Sequence, residues 1–280
     1  MELIKRSFTG FLFVAILAFC ILKGPIWFAS LFALCTILTT WEFVSLMNKN
    51  KKTQISRQWV LVASISLFGA IFMSCIEYTS FVYFMPFILS LIIIFVRELY
   101  KKKTSPIINL ALGIMPVLYI ALPFSLLSVL AFIPNKENGM TEYCYVIPLT
   151  LFIFIWANDV GAYFIGCSIG KHKLFERISP KKTWEGSIGG ASFTIIAAIL
   201  LYRFLPTWYG NMSIWIWIGM ALIVVLFGTW GDLVESMIKR ELQIKDSGKI
   251  LPGHGGFLDR FDSTLLAIPA TVIYFCTILL

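Results

Sequence analysis

The sequence predicts an all-α integral membrane protein whose helices cross a bilayer about nine times. Apolar side chains make up 59% of the 280 residues and charged side chains only 14%, whereas a soluble domain carries roughly 25% charged residues. The apolar residues fall in runs near the length of about 20 that a membrane-spanning helix requires. A disordered chain and a small disulfide-stapled fold are excluded, because the chain is long and apolar and its six cysteines are scattered.

The predicted spans follow one another with short connections. The first is the shortest and joins the second through residues 23–25, so a tilted or partly inserted segment is the alternative for it. Lys5 and Arg6 ahead of it resemble a signal peptide, but no small-residue cleavage site follows, and we expect an uncleaved anchor. Pro116 and Pro123 predict a kink in the fifth span. The spans cover residues 8–22, 24–47, 58–75, 79–96, 107–133, 145–167, 186–206, 212–238 and 261–280.

The basic residues test this count independently, because cytoplasmic loops are enriched in Lys and Arg. Twenty of the 23 lysines and arginines lie in five groups. All five groups fall on the same side of the membrane if nine spans cross it in alternating directions. The amino terminus is therefore predicted to be cytoplasmic and the carboxyl terminus outside. Because the charges follow membrane topology, the net charge of +8 does not indicate a nucleic-acid partner. The five groups lie at residues 5–6, 49–57, 97–103, 171–182 and 239–260.

Acidic residues divide the chain into two regions of one integral membrane domain. Residues 1–103 have spans nearly free of ionisable groups, with Glu42 the main exception, and read as a scaffold. Residues 104–280 read as the catalytic region, with predicted cytoplasmic loops at 168–185 and 239–260. Carboxylates at membrane depth persist when they face a polar cavity, pair with a cation or bind a metal. Those in or beside apolar stretches here are Asp159, Glu185, Asp232, Glu235, Asp259 and Asp262.

The end of the eighth span carries a polar helical face. Asp232, Glu235, Ser236 and Lys239 are spaced i, i+3, i+4 and i+7, so a helix continuing through residues 230–231 places all four on one side. The alternative is a solvated helix end, where Glu235 and Lys239 form an i,i+4 ion pair worth about 0.3 kcal/mol. This segment alone does not separate the two interpretations.

The loop that follows is dense in charges and glycines. Lys245-Asp246-Ser247-Gly248 is followed by a glycine-rich run around His254, and then by Asp259 and Asp262, which share a face if the ninth helix begins there. Glycines allow backbone amides to approach an anion closely. Carboxylate oxygens with substrate phosphates are the usual ligands of Mg²⁺. The loop is therefore typical of one that holds phosphates through a divalent cation.

Residues 236–262, SMIKRELQIKDSGKILPGHGGFLDRFD, resemble the signature of the phosphatidate cytidylyltransferase (CDP-diacylglycerol synthase) family. A second stretch, residues 158–163 and 179–186, is also similar to this family. The resemblance covers roughly residues 150–265, and the first half resembles the family only in its hydrophobic spans. The matching signature positions are Ser236, Lys239, Arg240, Lys245, Asp246, Gly248, Pro252, His254, Gly255, Gly256, Asp259, Arg260 and Asp262.

The resemblance implies an enzyme that converts CTP and phosphatidic acid to CDP-diacylglycerol and pyrophosphate, the first step toward phospholipids made from that intermediate. The lipid phosphate attacks the α-phosphorus of CTP, and no covalent enzyme intermediate is needed. Both reactants are anions, so the site must supply cations and hold the reactants together. The resemblance implies Mg²⁺ as the cofactor and leaves open whether a second metal or a monovalent cation also binds. The implied partners are CTP, phosphatidic acid and the lipid bilayer; a homodimer is open.

Residue roles follow from the resemblance. Asp232 and Asp259 are the first-choice Mg²⁺ ligands, with Asp262 and Asp246 as candidates for the same shell or for orienting cations. His254 is either a donor to a phosphate or leaving group, or a structural hydrogen-bond partner. With Ser236 and Lys239 these residues form the predicted catalytic set. The predicted phosphate-binding residues are Lys239, Arg240, Lys245, Arg260, Lys181, Lys182 and Ser179.

Further polar residues are predicted to line the same cavity. Asp159 lies within the sixth span, where it either binds metal or pairs with Lys181 or Lys182. Residues 179–183 either hold a phosphate or cap the next helix, since Ser and Thr do both. His172 is expected to be a solvated loop residue. The predicted cavity residues are Asn158, Asp159, Tyr163, Glu185 and Glu235.

Three other functions compete with this one. CTP-dependent polyprenol and phytol kinases transfer the γ-phosphate rather than the nucleotide. A secondary transporter would place carboxylates at broken-helix midpoints with repeat symmetry, and neither pattern occurs in the sequence. A purely structural membrane protein has no use for so polar a signature. The compact chain favours a bacterial inner membrane, with the active site facing the cytoplasm.

Overall fold

The computed structural model describes residues 2–49, 53–77, 80–102, 105–134, 141–209, 212–248 and 255–279. The chain divides into two compact units. The first contains Met1–Tyr145 and Asp246–Arg260, and the second contains Val146–Lys245 and Phe261–Leu280. The division after residue 145 differs from the predicted functional boundary at residue 103, because the fifth span packs against the second and third spans in the first unit.

Eight helices among the described residues are long and apolar enough to cross a membrane. They correspond to the second through ninth predicted spans, which confirms an all-α polytopic membrane protein. The first predicted span is also helical, but its apolar part, Thr9–Lys23, is shorter than the others. Gly24, with a φ of 127°, separates it from the next helix. Side chains such as Ile107 and Trp215 are exposed on the helix surfaces, as expected where helices face lipid.

Among its described residues, the first unit contains six complete α-helices and one pair of short strands. A 3₁₀ turn, Phe81–Phe84, leads into the fourth helix. A π-helical turn, Val117–Ala121, interrupts the fifth span between Pro116 and Pro123. Pro123 has no N–H to donate to the carbonyl of residue 119, which lies inside this turn. The helices are α1 (Glu2–Lys23), α2 (Pro25–Met47), α3 (Arg57–Ile76), α4 (Met85–Leu99), α5 (Pro106–Pro116) and α6 (Leu122–Ala131), and the antiparallel strands are β1 (Phe132–Pro134) and β2 (Thr141–Tyr143).

Tyr143 ties this strand pair to the helices of the first unit. Its hydroxyl donates to the backbone carbonyl of Ile21 at 2.7 Å, and its ring packs edge-on against Phe28. Burial raises the pKa of the Tyr143 phenol. The phenol therefore stays protonated and remains a donor.

The described residues of the second unit form five helices and a short hairpin. They are α7 (Val146–Ile169), β3 (Lys173–Phe175), β4 (Ser179–Thr183), α8 (Trp184–Phe204), α9 (Pro206–Tyr209), α10 (Ile214–Glu241) and the part of α11 (Leu258–Leu279) from Phe261 onward. The antiparallel β3–β4 hairpin occupies the predicted loop 168–185. It lies between α7 and α8 in the chain and precedes the polar end of α8.

The close packing of α7 against α8 depends on a glycine. A Cβ at Gly190 would overlap the side-chain oxygen of Asn158 and lie 2.8 Å from its backbone oxygen. Backbone atoms cannot swing aside as a flexible side chain can. A larger residue at this position must therefore push the two helices apart.

We expect Gly190→Ala to destabilise the protein by about 1–3 kcal/mol, since it overpacks a fixed helix contact. Thermal unfolding in detergent, followed by circular dichroism, measures the change. The matched control is Gly69→Ala on α3, where an added Cβ meets nothing within 4 Å. This control should stabilise by roughly 0.5–1 kcal/mol, because alanine is the better helix former. Equal melting temperatures for the two variants would contradict this packing argument.

Candidate active site

The polar face predicted on the eighth span is present. Helix α10 continues through Trp230 and Gly231 to Glu241, as one interpretation of the sequence required. Ser236 Oγ donates to Asp232 Oδ1 at 3.2 Å. Lys239 Nζ lies 2.5 Å from Glu235 Oε2. The face therefore consists of two successive polar pairs.

The Glu235–Lys239 pair is not the solvated helix end that the sequence left open. Glu235 is completely buried, and the Lys239 side chain is only 14% exposed. Removing one partner of a buried ion pair leaves an uncompensated charge, which typically costs about 3–5 kcal/mol. Lys239 therefore balances a buried carboxylate.

Gly231 brings α10 and α11 together beside Asp232. A Cβ at Gly231 would lie 2.5 Å from the backbone oxygen of Asp262 and 3.1 Å from that of Ser263. The helices approach this closely because glycine has no side chain. As a result, Asp232 and Asp262 lie on neighbouring helices within electrostatic range of each other.

A cavity of about 380 Å³ lies in the second unit beside this helix contact. Lys182 Nζ lies 2.5 Å from Asp232 Oδ2 in its wall. Asp262 lies within electrostatic range of Asp232, Asp159 and Lys182. The polar wall of the cavity is formed by Asn158, Asp159, Tyr163, Lys181, Lys182, Thr183, Ser187, Thr229, Asp232 and Ser263.

These contacts decide several alternatives left open by the sequence. Lys182 pairs with Asp232, a partner that the sequence did not predict for it. Thr183, rather than Ser179, caps α8, because its Oγ1 accepts from Gly186 N at 3.1 Å. Ser179 instead pairs with Phe175 in the hairpin.

Glu185 lies at the base of the hairpin. Its carboxylate accepts from the backbone N–H groups of Lys171 and His172 at 3.2 Å, and its Oε1 lies 2.5 Å from His172 Nδ1. It lines a different groove, with Ile188 and Phe193. Glu185 was predicted to share the cavity with Asp159, and the structure does not bring these two together. His172 is exposed, as expected, but it has this carboxylate partner.

Arg240 also contacts the hairpin. Its Nε donates to the backbone oxygen of Ile178 at 3.4 Å. The guanidinium is otherwise exposed at the end of α10. Arg240 therefore links the helix that carries Asp232 to the turn that precedes the strand carrying Lys182.

The signature loop, residues 246–257, has its described residues held by carboxylates of the first unit. Asp259, in the first turn of α11, accepts through Oδ2 from Ser247 N at 2.9 Å and Gly256 N at 2.8 Å, and the same oxygen lies 2.9 Å from Ser247 Oγ. Gly255 has a φ of 82°, a conformation that favours glycine. Asp259 thus fastens both described ends of the loop to the start of the helix.

The remaining predicted residues of the signature differ in their surroundings. Lys245, Asp246 and Arg260 are exposed. His254 lies outside the described residues. The four predicted metal ligands fall in both units, Asp232 and Asp262 in the second and Asp246 and Asp259 in the first.

Glu42 is the residue that the sequence interpretation missed. It was assigned to a scaffold, yet it is 4% exposed and accepts hydrogen bonds from Ser247 Oγ and from Phe257 N, the latter at 2.6 Å. A carboxylate inside an apolar span was the signal that pointed to it. Thr229 and Ser263 in the cavity wall carried no comparable signal, because Ser and Thr are common in membrane helices.

Loss of the Lys239 charge tests the buried pair on α10. We expect Lys239→Met to destabilise the protein by about 3 kcal/mol, because Glu235 is left buried without its counter-charge. The double variant Glu235→Gln with Lys239→Met should recover much of that loss, since no buried charge remains. Thermal unfolding of both purified variants in detergent measures the effect. Equal destabilisation by the single and double variants would show that the buried charge is not its cause.

Comparison with known proteins places this sequence in one family. The sequence matches the cytidylyltransferase family over residues 4–278. It is 40% identical over 181 residues to the phosphatidate cytidylyltransferase of Staphylococcus aureus strain COL, covering 65% of this chain and 64% of that protein.

Two further relatives carry the same name. The protein of Staphylococcus haemolyticus is 39% identical over 169 residues, which is 60% of each chain. That of Staphylococcus epidermidis strain ATCC 12228 is 36% identical over 181 residues, covering 65% of this chain and 64% of that protein. The chain thus covers less than two thirds of the length of the relatives that it matches. Because the family match extends over nearly the whole sequence, this integral membrane protein belongs to the cytidylyltransferase family.

Proposed function

We propose that this protein transfers the cytidylyl group of CTP to phosphatidic acid, forming CDP-diacylglycerol and pyrophosphate. The observation that carries the proposal is the cavity of the second unit, where Lys182 pairs with Asp232 beside Asp159 and Asp262. The signature at residues 236–262 and the names of the relatives support the same activity.

The reaction requires two anions to meet. A lipid phosphate oxygen forms a bond to the α-phosphorus of CTP, and the bond from that phosphorus to the bridging oxygen breaks as pyrophosphate leaves. Lys181 and Lys182 in the cavity wall offer positive charge to the phosphates. The ion pair with Asp232 holds the Lys182 ammonium in place before substrate binds. Such preorganised charge is the main source of stabilisation for reactions of this kind.

The carboxylates suit a divalent cation. Asp232 and Asp262 offer hard oxygen ligands from two helices, and Mg²⁺ usually binds one or two carboxylates together with substrate phosphates. No group of three or more Asp, Glu, His or Cys side chains among the described residues is arranged as a metal site. Asp246 and Asp259 remain proposed ligands from the signature loop. When bound, Mg²⁺ would neutralise charge on the triphosphate and the departing pyrophosphate. The proposal leaves room for a second metal or a monovalent cation beside Mg²⁺.

The lipid substrate and the charge pattern suggest the location of the site. The relatives are bacterial proteins, and we propose a bacterial inner membrane. Lys181, Lys182, Lys239, Arg240, Lys245 and Arg260 belong to the basic groups expected on the cytoplasmic side. CTP would therefore enter from the cytoplasm and phosphatidic acid laterally from the bilayer.

An assay with labelled CTP tests the proposed function. Purified protein with phosphatidic acid and Mg²⁺ should transfer label from the α-phosphate into lipid, and a chelator should stop the transfer. Label at the γ-phosphate should appear in pyrophosphate. Entry of γ-label into lipid would indicate a lipid kinase instead. Solute uptake by sealed vesicles without lipid turnover would indicate a transporter.

Asp232 gives the sharpest variant. We expect Asp232→Asn to lower the turnover number at least about 100-fold, because it removes the charge that orients Lys182 and a proposed metal ligand. The matched control is Glu241→Gln, an exposed carboxylate at the end of the same helix, which should keep wild-type turnover. Steady-state assays at saturating CTP measure both, with melting temperatures showing that each variant folds. Unchanged turnover in Asp232→Asn would remove this cavity from the mechanism.

A further inference from the structure

Glu42 lies on α2, far in sequence from the signature loop that it contacts. Its Oε1 accepts from the hydroxyl of Ser247, and its Oε2 accepts from the backbone N–H of Phe257 at 2.6 Å. These partners are 205 and 215 residues away in the chain. One buried carboxylate thus binds both described ends of the loop.

Two glycines of the loop fit around this carboxylate. A Cβ at Gly248 would lie 2.7 Å from Glu42 Oε1, and a Cβ at Gly256 would overlap both Glu42 Oε1 and Ser247 Oγ. The loop can approach the carboxylate only because these positions have no side chain. The signature glycines therefore serve the contact with Glu42 as well as backbone flexibility.

Ser247 connects Glu42 to Asp259. Its Oγ also lies 2.9 Å from Asp259 Oδ2, and its backbone N–H donates to the same oxygen. A hydroxyl has one proton, so it donates to one of the two carboxylates at a time. The hydrogen bond from Ser247 to Glu42 fixes the position of Ser247. Because Ser247 also contacts Asp259, the same bond affects the orientation of Asp259.

We propose that Glu42 is a positioning residue of the active site. It holds the signature loop through Ser247 and Phe257, so that Asp259 and Gly256 keep the positions that catalysis uses. The inference rests on the proposed function for its effect on turnover. The hydrogen bonds that carry it are independent of that function.

Two substitutions separate positioning from a direct use of the Glu42 charge. In Glu42→Gln, the amide oxygen accepts from Phe257 N, the amide nitrogen donates to Ser247 Oγ, and the Ser247 hydroxyl donates to Asp259. The contacts with Ser247 and Phe257 are both kept, so the turnover number should stay within about threefold of wild type. Glu42→Leu has similar bulk but no acceptor, so turnover should fall roughly 100-fold with little change in the KM for CTP.

Glu98→Leu is the matched control. Glu98 is a buried carboxylate of the same unit, 7% exposed, which contacts Lys101 and Asn109 rather than the signature loop. It should lose stability to a degree similar to Glu42→Leu while keeping turnover. If Glu42→Leu does not fold, Ser247→Ala removes the same connection to Asp259, and its turnover should fall about tenfold.

Hydrogen exchange of the full-length protein in detergent gives a readout besides activity. Peptides covering residues 246–260 should exchange about tenfold faster in Glu42→Leu than in wild type, Glu42→Gln or Glu98→Leu. Equal exchange in Glu42→Leu and wild type, or full turnover in Glu42→Leu, would overturn the inference. Loss of turnover in Glu42→Gln with a protected loop would also overturn it, because the charge would then act directly. If the wild type made no CDP-diacylglycerol, the proposed function would fail, while the exchange data would still decide whether Glu42 holds the loop.

Discussion

Each ionisable group placed in a membrane-spanning helix must have a partner, because the lipid around the helix provides none. An unpaired charge in an apolar medium is so costly that the group either finds a counter-charge and hydrogen bonds or is not tolerated. The carboxylates of this protein meet that requirement in different ways. Glu235 pairs with Lys239 one turn along the same helix, and Asp232 pairs with Lys182 of the hairpin. Glu42 relies on hydroxyl and backbone donors of a distant loop.

The same requirement explains the form of the cavity in the second unit. Asp159, Asp232 and Asp262 belong to three helices, and Lys182 is a cation within electrostatic range of Asp262. Negative charge gathered in this way favours the binding of further cations. In the proposed reaction, the substrates bring phosphates that need cations in turn. The cavity therefore has the charge character for cation-assisted phosphoryl chemistry.

Close backbone contacts make these arrangements possible. Gly231 lets α10 reach the backbone of Asp262, and Gly190 lets α8 reach Asn158 of α7. Gly248 and Gly256 admit the carboxylate of Glu42 in the same way. Polar groups are brought into hydrogen-bond range where side chains would otherwise keep the elements apart. Glycine is therefore as important to these sites as the charged residues are.

Much of this arrangement could be predicted from the sequence, because its physical cause is local. The spans follow from runs of apolar residues, and the polar face of α10 follows from the 3.6-residue period. Glycine and charge spacing marked the signature loop. The β3–β4 hairpin was not predicted, and neither was the packing of the fifth span within the first unit. Both depend on contacts between segments that are distant in sequence.

Partner choice was decided only by the tertiary structure. The sequence offered Asp159 as the carboxylate partner of Lys181 or Lys182, whereas Lys182 pairs with Asp232. It also left open whether residues 179–183 hold a phosphate or cap the next helix. Glu42 appeared as an isolated acid in a hydrophobic helix, with no indication that its partners lay 205 and 215 residues away. The sequence by itself determined which segments enter the membrane and which residues are too polar to lie there without cause. Which partner each of these polar residues finds depends on how the chain folds. A hydrogen bond acts over about 3 Å, so it cannot be read from the spacing of residues in the sequence.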